Sequence, residues 1–323
     1  YFVLNLLSEI DIPGEWYLDR SRGILYLWPP SDPAKAAIEL SALPTPLVQT
    51  DDTSYVTFER LTFEGGRSNG VVIKGGNDCL LAGCTICRLG ENGVVVDGGT
   101  AHGILGCDIF TLGRGGTAIT GGDRKTLTPG RHFIENCHVH DFSHIYRTYT
   151  PAVLMNGCGN RITHNLFNDS PHHAMRIEGN DHVIEFNDIH SVVYEADDQG
   201  GLDMWHNVSY RGTIVRYNYW HHIGSGFGGG QAGVRLDDAI SGVLIYGNIF
   251  YRCSNQGFGG VQIHGGKENI LDNNLFVDCK YAVSFSPWGE PPPACRSERS
   301  CSVTCSSWSA RRTTVGICAC WRA

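Results

Sequence analysis

Nine short segments share one hydrophobic pattern: FERLTF, LAGCTI, ILGCDIF, IENCHV, ITHNLF, IEFNDI, VRYNYW, IYGNIF and LDNNLF. In each, an apolar residue is followed by two variable positions, then usually Cys or Asn, then an apolar residue two places on. The fourth position is Leu61, Cys84, Cys107, Cys137, Asn165, Asn187, Asn218, Asn248 and Asn274, at intervals of 22 to 31 residues. A strand-sized motif at that period, with the extra length always between motifs, predicts a solenoid whose insertions fall in loops. No segment keeps a 3.6 period of useful length, which excludes helical repeats. The fold class is therefore all-β, a right-handed parallel β-helix. Parallel strands stack about 4.8 Å apart, so an Asn at one inward corner bonds its counterparts above and below. Cys, small and readily buried, continues that column towards the N-terminus. This removes Cys84 from the Cys79, Cys84, Cys87 cluster, the nearest thing in the chain to a metal site.

A second strand precedes several of these motifs: AVLMNG, AMRIEG, GLDMWH, GVRLDD and GVQIHG. Val153/Met155, Met175/Ile177, Leu202/Met204, Val234/Leu236 and Val261/Ile263 face inward by alternation. The outward positions form two columns: Leu154, Arg176, Asp203, Arg235, Gln262, and Asn156, Glu178, Trp205, Asp237, His264. An Arg–Asp–Arg ladder across strands is the plain account of the first, worth a few tenths of a kcal/mol per pair. A substrate groove is the sharper one, because the loops entering these strands are unusual too. They are NDSPHHA, VVYEADDQGG, GSGFGGGQAG and SNQGFGG, stacked at one corner. Three are Gly-rich, which allows tight turns and close approach of a ligand to the backbone. One of these three, VVYEADDQGG, carries Asp197, Asp198 and Gln199.

Residues 1–50 read differently. GEWYLDRSRGILYLWPP predicts a hairpin of two aromatic strands around DRSRG, expected to cap an open end of the solenoid. Residues 51–289 are the β-helix. From residue 290 to 323 the alternation stops, and this irregular tail is expected to stand apart from the fold.

Charge narrows the partners. The chain carries 25 basic and 33 acidic residues, a net charge of −8; residues 1–289 hold 20 against 31. So acidic a body is a poor nucleic-acid binder and suits a neutral or weakly charged substrate. No apolar run approaches the roughly 18 residues of a membrane-spanning helix. With 13 Cys and no paired CxxC spacing, neither a disulfide framework nor a zinc module is indicated. The chain begins at Tyr1, so it is expected to be a processed or excised segment in which no export signal is legible.

Taken in order, PGEWYLDR, SPHHAMRIEGNDHVIEFNDIH, EADDQGG, RGTIVRYNYWHHI, VRLDDAISG and GGKENILDNNLFVDC resemble the bacterial β-helix proteins of glycoside hydrolase family 141. The likeness runs from about residue 5 to 288. It implies a fucosidase- or xylanase-like glycosidase, secreted or periplasmic, acting as a monomer on an oligosaccharide or polysaccharide. It also implies that the catalytic carboxylates lie in the DDQG and LDD segments, on Asp197 or Asp198 and Asp237 or Asp238. Asp203 and Arg235 stand where relatives tend to have Tyr, so the sugar recognised is expected to differ.

Glycoside hydrolysis needs one carboxyl group as acid and another as nucleophile or base. Asp237 is favoured over Asp238 because the strand period turns it outward, whereas Asp238 lies past the strand end; Asp198 is its expected partner. His172, His173, Arg176, Gln199, Asp203, Trp205, Arg235 and His264 are the candidate substrate contacts, with Trp205 as stacking platform. No cofactor is expected, although clustered acids also make calcium sites. Two rival readings remain: a uronate-specific lyase or epimerase, kept alive by Arg176 and Arg235, and a non-catalytic adhesin.

Overall fold

A computed structural model describes residues 3–226 and 228–286, and the backbone of strands Thr304–Ala310 and Thr313–Ala319. Two compact units divide between Ser41 and Ala42. In the first, Trp16–Asp19 pairs antiparallel with Ile24–Leu27. The Asp19 carboxylate accepts from the backbone N–H of Ser21 and Arg22, closing the turn of the expected hairpin.

The second unit is a parallel β-solenoid of three sheets with nine, eleven and twelve strands. The first sheet runs from Thr57–Glu59 to Ile270–Asp272, and the second follows it after a two-residue corner in every turn but the last, where the corner is one residue. The third, from Val48–Asp51 to Val283–Phe285, carries the charged columns. Of the tail, Thr313–Ala319 pairs antiparallel with Asn274–Val277 and with Thr304–Ala310. The remaining tail residues lie outside the described residues.

The ladder occupies the corner between the first two sheets. Cys107 N–H points at Cys137 Sγ, and Cys137 N–H donates to Asn165 Oδ1. From there Asn165, Asn187, Asn218 and Asn248 each donate a backbone N–H to the next side-chain oxygen at 2.9–3.0 Å. Each of these Asn amides also donates to that same oxygen. The buried Asn side chains at the corner are thereby matched, which a polar residue needs if it is to sit inside. Leu61, at the N-terminal position of the series, is exposed instead.

A second buried column lies five residues upstream of the first. Cys79 N–H donates to His102 Nδ1, His102 N–H to His132 Nδ1, His132 N–H to Asn160 Oδ1, and Asn160 N–H to His182 Nδ1. Val243 N–H donates to Asn269 Oδ1 at the same offset. This gives Cys79 a structural place as well. Burial depresses His102, and takes His132 and His182 down to about 4.

Candidate active site

Register in the third sheet places the outward residues in the expected columns. Leu154 pairs with Arg176, Arg176 with Asp203, Asp203 with Arg235, and Arg235 with Gln262. The inward set Val153, Met155, Met175, Ile177, Leu202, Met204, Val234, Leu236 and Val261 is fully buried. That core holds the strands in register, so the outward side chains are presented from a rigid floor.

Over this floor lies a cleft of about 740 Å³. Ten candidate residues line it: Arg176, Asp197, Asp198, Gln199, Asp203, Trp205, Arg235, Asp237, Asp238 and His264. Tyr149, Leu154 and Glu178 complete the wall. Tyr149 comes from a loop without periodicity, so no pattern in the sequence marks it.

Arg235 is the hub. Its Nη2 lies 2.9 Å from Asp198 Oδ1 and 3.0 Å from Asp237 Oδ2. Its Nη1 donates to the Asp198 carbonyl and lies 3.9 Å from Asp203 Oδ1. Arg176 binds the other side of Asp203, at 3.5 Å, and also Glu178, at 2.9 Å. The Arg–Asp–Arg ladder therefore exists, but as a buried network: Asp203 is 2% and Arg235 5% exposed. Burial pushes the Asp203 carboxyl up to about 6, against the pull of Arg235 and Arg176. Among the described residues no hydrogen-bond donor reaches Asp203 Oδ1.

Asp237 receives the Asp238 backbone N–H at 3.0 Å and lies 2.7 Å from His264 Nδ1. Asp238, with φ +46° just past the strand, accepts from Trp205 Nε1 and lies 3.6 Å from His206 Nδ1. Trp205 is 43% exposed, with Arg176 5.3 Å from its ring centre.

The two acids of the DDQG loop diverge. The Asp198 side chain is 71% exposed at the mouth of the cleft. The Asp197 carboxylate accepts the backbone N–H groups of Gly229 and Gly230. Burial raises Asp197, but those two donors outweigh it and hold the carboxyl below its ordinary value. Gly228, at φ +88°, makes the contact possible, since a Cβ there would lie 2.3 Å from the Asp197 carboxyl carbon. The Gly-rich loop thus uses its close approach on Asp197.

His172 and His173 are not brought to the cleft lining. Both are buried, with their Nδ1 atoms 2.7 Å apart, and His173 Nδ1 lies 3.2 Å from Gln199 Oε1. Burial, then the charge of Arg176, depresses His172 to about 4; burial, then His172, takes His173 well below the ordinary range. They are neutral props behind Gln199 and Tyr149, whose ring lies 4.7 Å from that of His172. Gln199 lines the cleft and neither imidazole does.

The profile of the family described as "Right handed beta helix region" matches residues 47–150 and 151–311. Among solved structures, a glycoside hydrolase superposes with a TM-score of 0.67 at 16% identity, covering 84% of this chain and 57% of its own. The chain thus spans little more than half of that protein's length. The A-module of the Azotobacter vinelandii mannuronan C-5 epimerase AlgE4 superposes with a TM-score of 0.51 at 14% identity, covering 75% of this chain and 74% of its own. At such identities the likeness is one of fold. No curated protein sequence matches the chain.

Proposed function

The chain belongs to the right-handed β-helix family, and from that premise we propose that it is a glycoside hydrolase whose catalytic carboxyl pair is Asp198 and Asp237. The observation that carries this reading is that both carboxylates meet one guanidinium nitrogen in the cleft. Two oxygens each about 3 Å from one atom are at most about 6 Å apart, nearer the 5–5.5 Å of retaining enzymes than the 6.5–9.5 Å of inverting ones.

Asp237 has the surroundings of the nucleophile: it is held by Arg235, His264 and a backbone N–H. Its oxygen attacks the anomeric carbon while Asp198, exposed at the mouth, gives a proton from Oδ2, the oxygen not held by Arg235, to the departing oxygen. Water then enters, Asp198 takes its proton, and the bond from sugar to Asp237 breaks. Asp203, titrating near 6, lets the network shed one negative charge beside Arg235. Asp197 and Asp238 are supports: one anchors the glycine loop, the other holds Trp205.

A neutral sugar fits better than a uronate. Asp197, Asp198, Asp203, Asp237, Asp238 and Glu178 face only Arg176 and Arg235 among the fixed cations of the lining. Both arginines are already engaged by these acids, which leaves the lyase or epimerase reading without a receptor for a uronate carboxylate. Fucosidase- and xylanase-type glycans outside the cell are the first substrates to try.

The experiment is a panel of neutral glycosides followed by reducing-sugar release, with proton NMR of the first anomer formed. Release with retention is expected. Absorbance in the unsaturated-uronate band on uronate polymers would replace the hydrolase with a lyase, and no product from any glycan would favour an adhesin. Trp205→Ala tests the platform. Loss of about 1 kcal/mol of stacking raises KM roughly fivefold at unchanged melting temperature, and an unaltered KM returns Trp205 to an ordinary surface role.

A further inference from the structure

The outer face of the second sheet carries a cluster that the cleft does not use. His138 and His140 flank Val139 on the strand His138–His140. Val139 is fully buried, so alternation turns both imidazoles outward. On the neighbouring turn Asp108 is in register with His138. Asp108 Oδ1 lies 3.2 Å from His140 Nε2 and 3.7 Å from His138 Nδ1. One ligand atom from each of the three residues lies within 4.8 Å of the others.

The hydrogen bonds around His138 decide what this cluster wants. Asn168 Nδ2 donates to Asp169 Oδ2 at 2.7 Å, which fixes the amide so that its oxygen faces His138. His138 Nε2 lies 2.7 Å from that oxygen and must carry the proton to donate to it. In neutral His138 the unprotonated Nδ1 then lies 3.7 Å from Asp108 Oδ1, acceptor beside acceptor. A cation between them resolves the conflict, and the outer partner on Nε2 is the one a metal-bound imidazole normally has.

We propose that Asp108, His138 and His140 bind a zinc-type divalent transition metal. Zinc holds imidazole nitrogen at about 2.0–2.1 Å and carboxylate oxygen at about 2.0–2.2 Å, so tetrahedral neighbours stand roughly 3.3–3.5 Å apart. The two Asp108 spacings, 3.2 and 3.7 Å, bracket that value; the His138 and His140 rings, stacked with centroids 4.0 Å apart at 23°, turn about their Cβ–Cγ bonds to aim both nitrogens at one ion. Two imidazoles and one carboxylate favour zinc, cobalt or nickel over calcium and magnesium, which prefer oxygen alone. The fourth position opens to solvent, because all three side chains are partly exposed.

The test is titration of the chelator-treated chain with zinc chloride at neutral pH, by calorimetry and by melting temperature. In the cleft, Asp237, Asp238 and His264 also bring ligand atoms within 4.8 Å, so the background is His264→Ala. One equivalent is expected to bind in that background and raise the melting temperature. His140→Ala and Asp108→Asn are expected to weaken it by roughly 100-fold or more, and Asn168→Ala by roughly 10- to 100-fold. Unchanged metal-free melting shows that these variants fold. Cobalt in place of zinc gives a visible band from tetrahedral ligation, lost in the same variants. Absence of zinc binding, binding indifferent to His140→Ala, or binding lost in His264→Ala alone overturns the proposal.

Discussion

Asp237→Asn lowers kcat on a cleaved glycoside by on the order of 10²-fold or more, and Asp198→Asn does the same. Asparagine keeps the shape of each group but neither attacks the anomeric carbon nor gives up a proton. In Asp237→Asn a single oxygen replaces the two that now serve Arg235 (Oδ2) and the Asp238 N–H (Oδ1), so one of these donors loses its acceptor and melting temperature falls modestly while the fold is kept. Asp238→Asn is the informative contrast. Its carboxylate holds the Trp205 indole, so this change acts chiefly on KM. Kinetics of the three variants on one substrate check the assignment. Near-normal turnover in both Asp198→Asn and Asp237→Asn sinks it, and loss of turnover in Asp238→Asn alone moves the nucleophile one residue along.

Acid is the second large lever, and it acts chiefly on the stability of the solenoid. His132, His172 and His182 are each held near 4 when folded, against an ordinary value of 6.5. Below 6.5 the unfolded chain takes up protons that the folded chain refuses. The stability these groups contribute is therefore complete above about pH 6.5 and is lost as pH falls towards 4. Asp203, raised to about 6, works in the opposite sense: its burial disfavours folding when ionised and is relieved as pH falls below 6. Three imidazoles against one carboxyl leave a net loss on the order of 4 kcal/mol between pH 6.5 and 5, at about 1.4 kcal/mol per group and pH unit. That is a large share of the roughly 5–15 kcal/mol of a typical domain. Urea unfolding at the two pH values measures it, and equal midpoints would refute it. His132→Asn reduces the pH dependence, because Asn already serves at Asn160 and Asn269 in the same column.

The extent to which the sequence announces all this differs from one feature to another. The Asn column is legible because each turn repeats the same backbone geometry, and a buried amide that answers it recurs at one offset. The upstream column keeps the same offset five residues earlier, yet its members are Cys79, His102, His132, Asn160, His182, Thr213, Val243 and Asn269, and its hydrogen bonds lapse at Thr213 and Val243, whose side chains accept none. Changing residue type hides it from a reading keyed to one residue, although the constant offset was there to find. The outward columns of the third sheet are legible as well, since a strand alternates with period two and the core residues set the phase.

Sequence alone therefore determined the solenoid, its turns, and which side chains stand on the outer face of the strands that floor the cleft. Tertiary structure decided what those side chains do to one another. Arg235 has neighbours on two turns and a loop, and only packing selects Asp198, Asp203 and Asp237 together. Asp197 and Asp198 are adjacent in the chain, yet one is anchored by glycine N–H groups and the other is left at the cleft mouth. His172 and His173 turn inward behind Gln199 instead of facing a sugar. These outcomes lie in loops and long side chains, where no period constrains direction and where burial, set by the neighbouring turns, fixes both partner and charge.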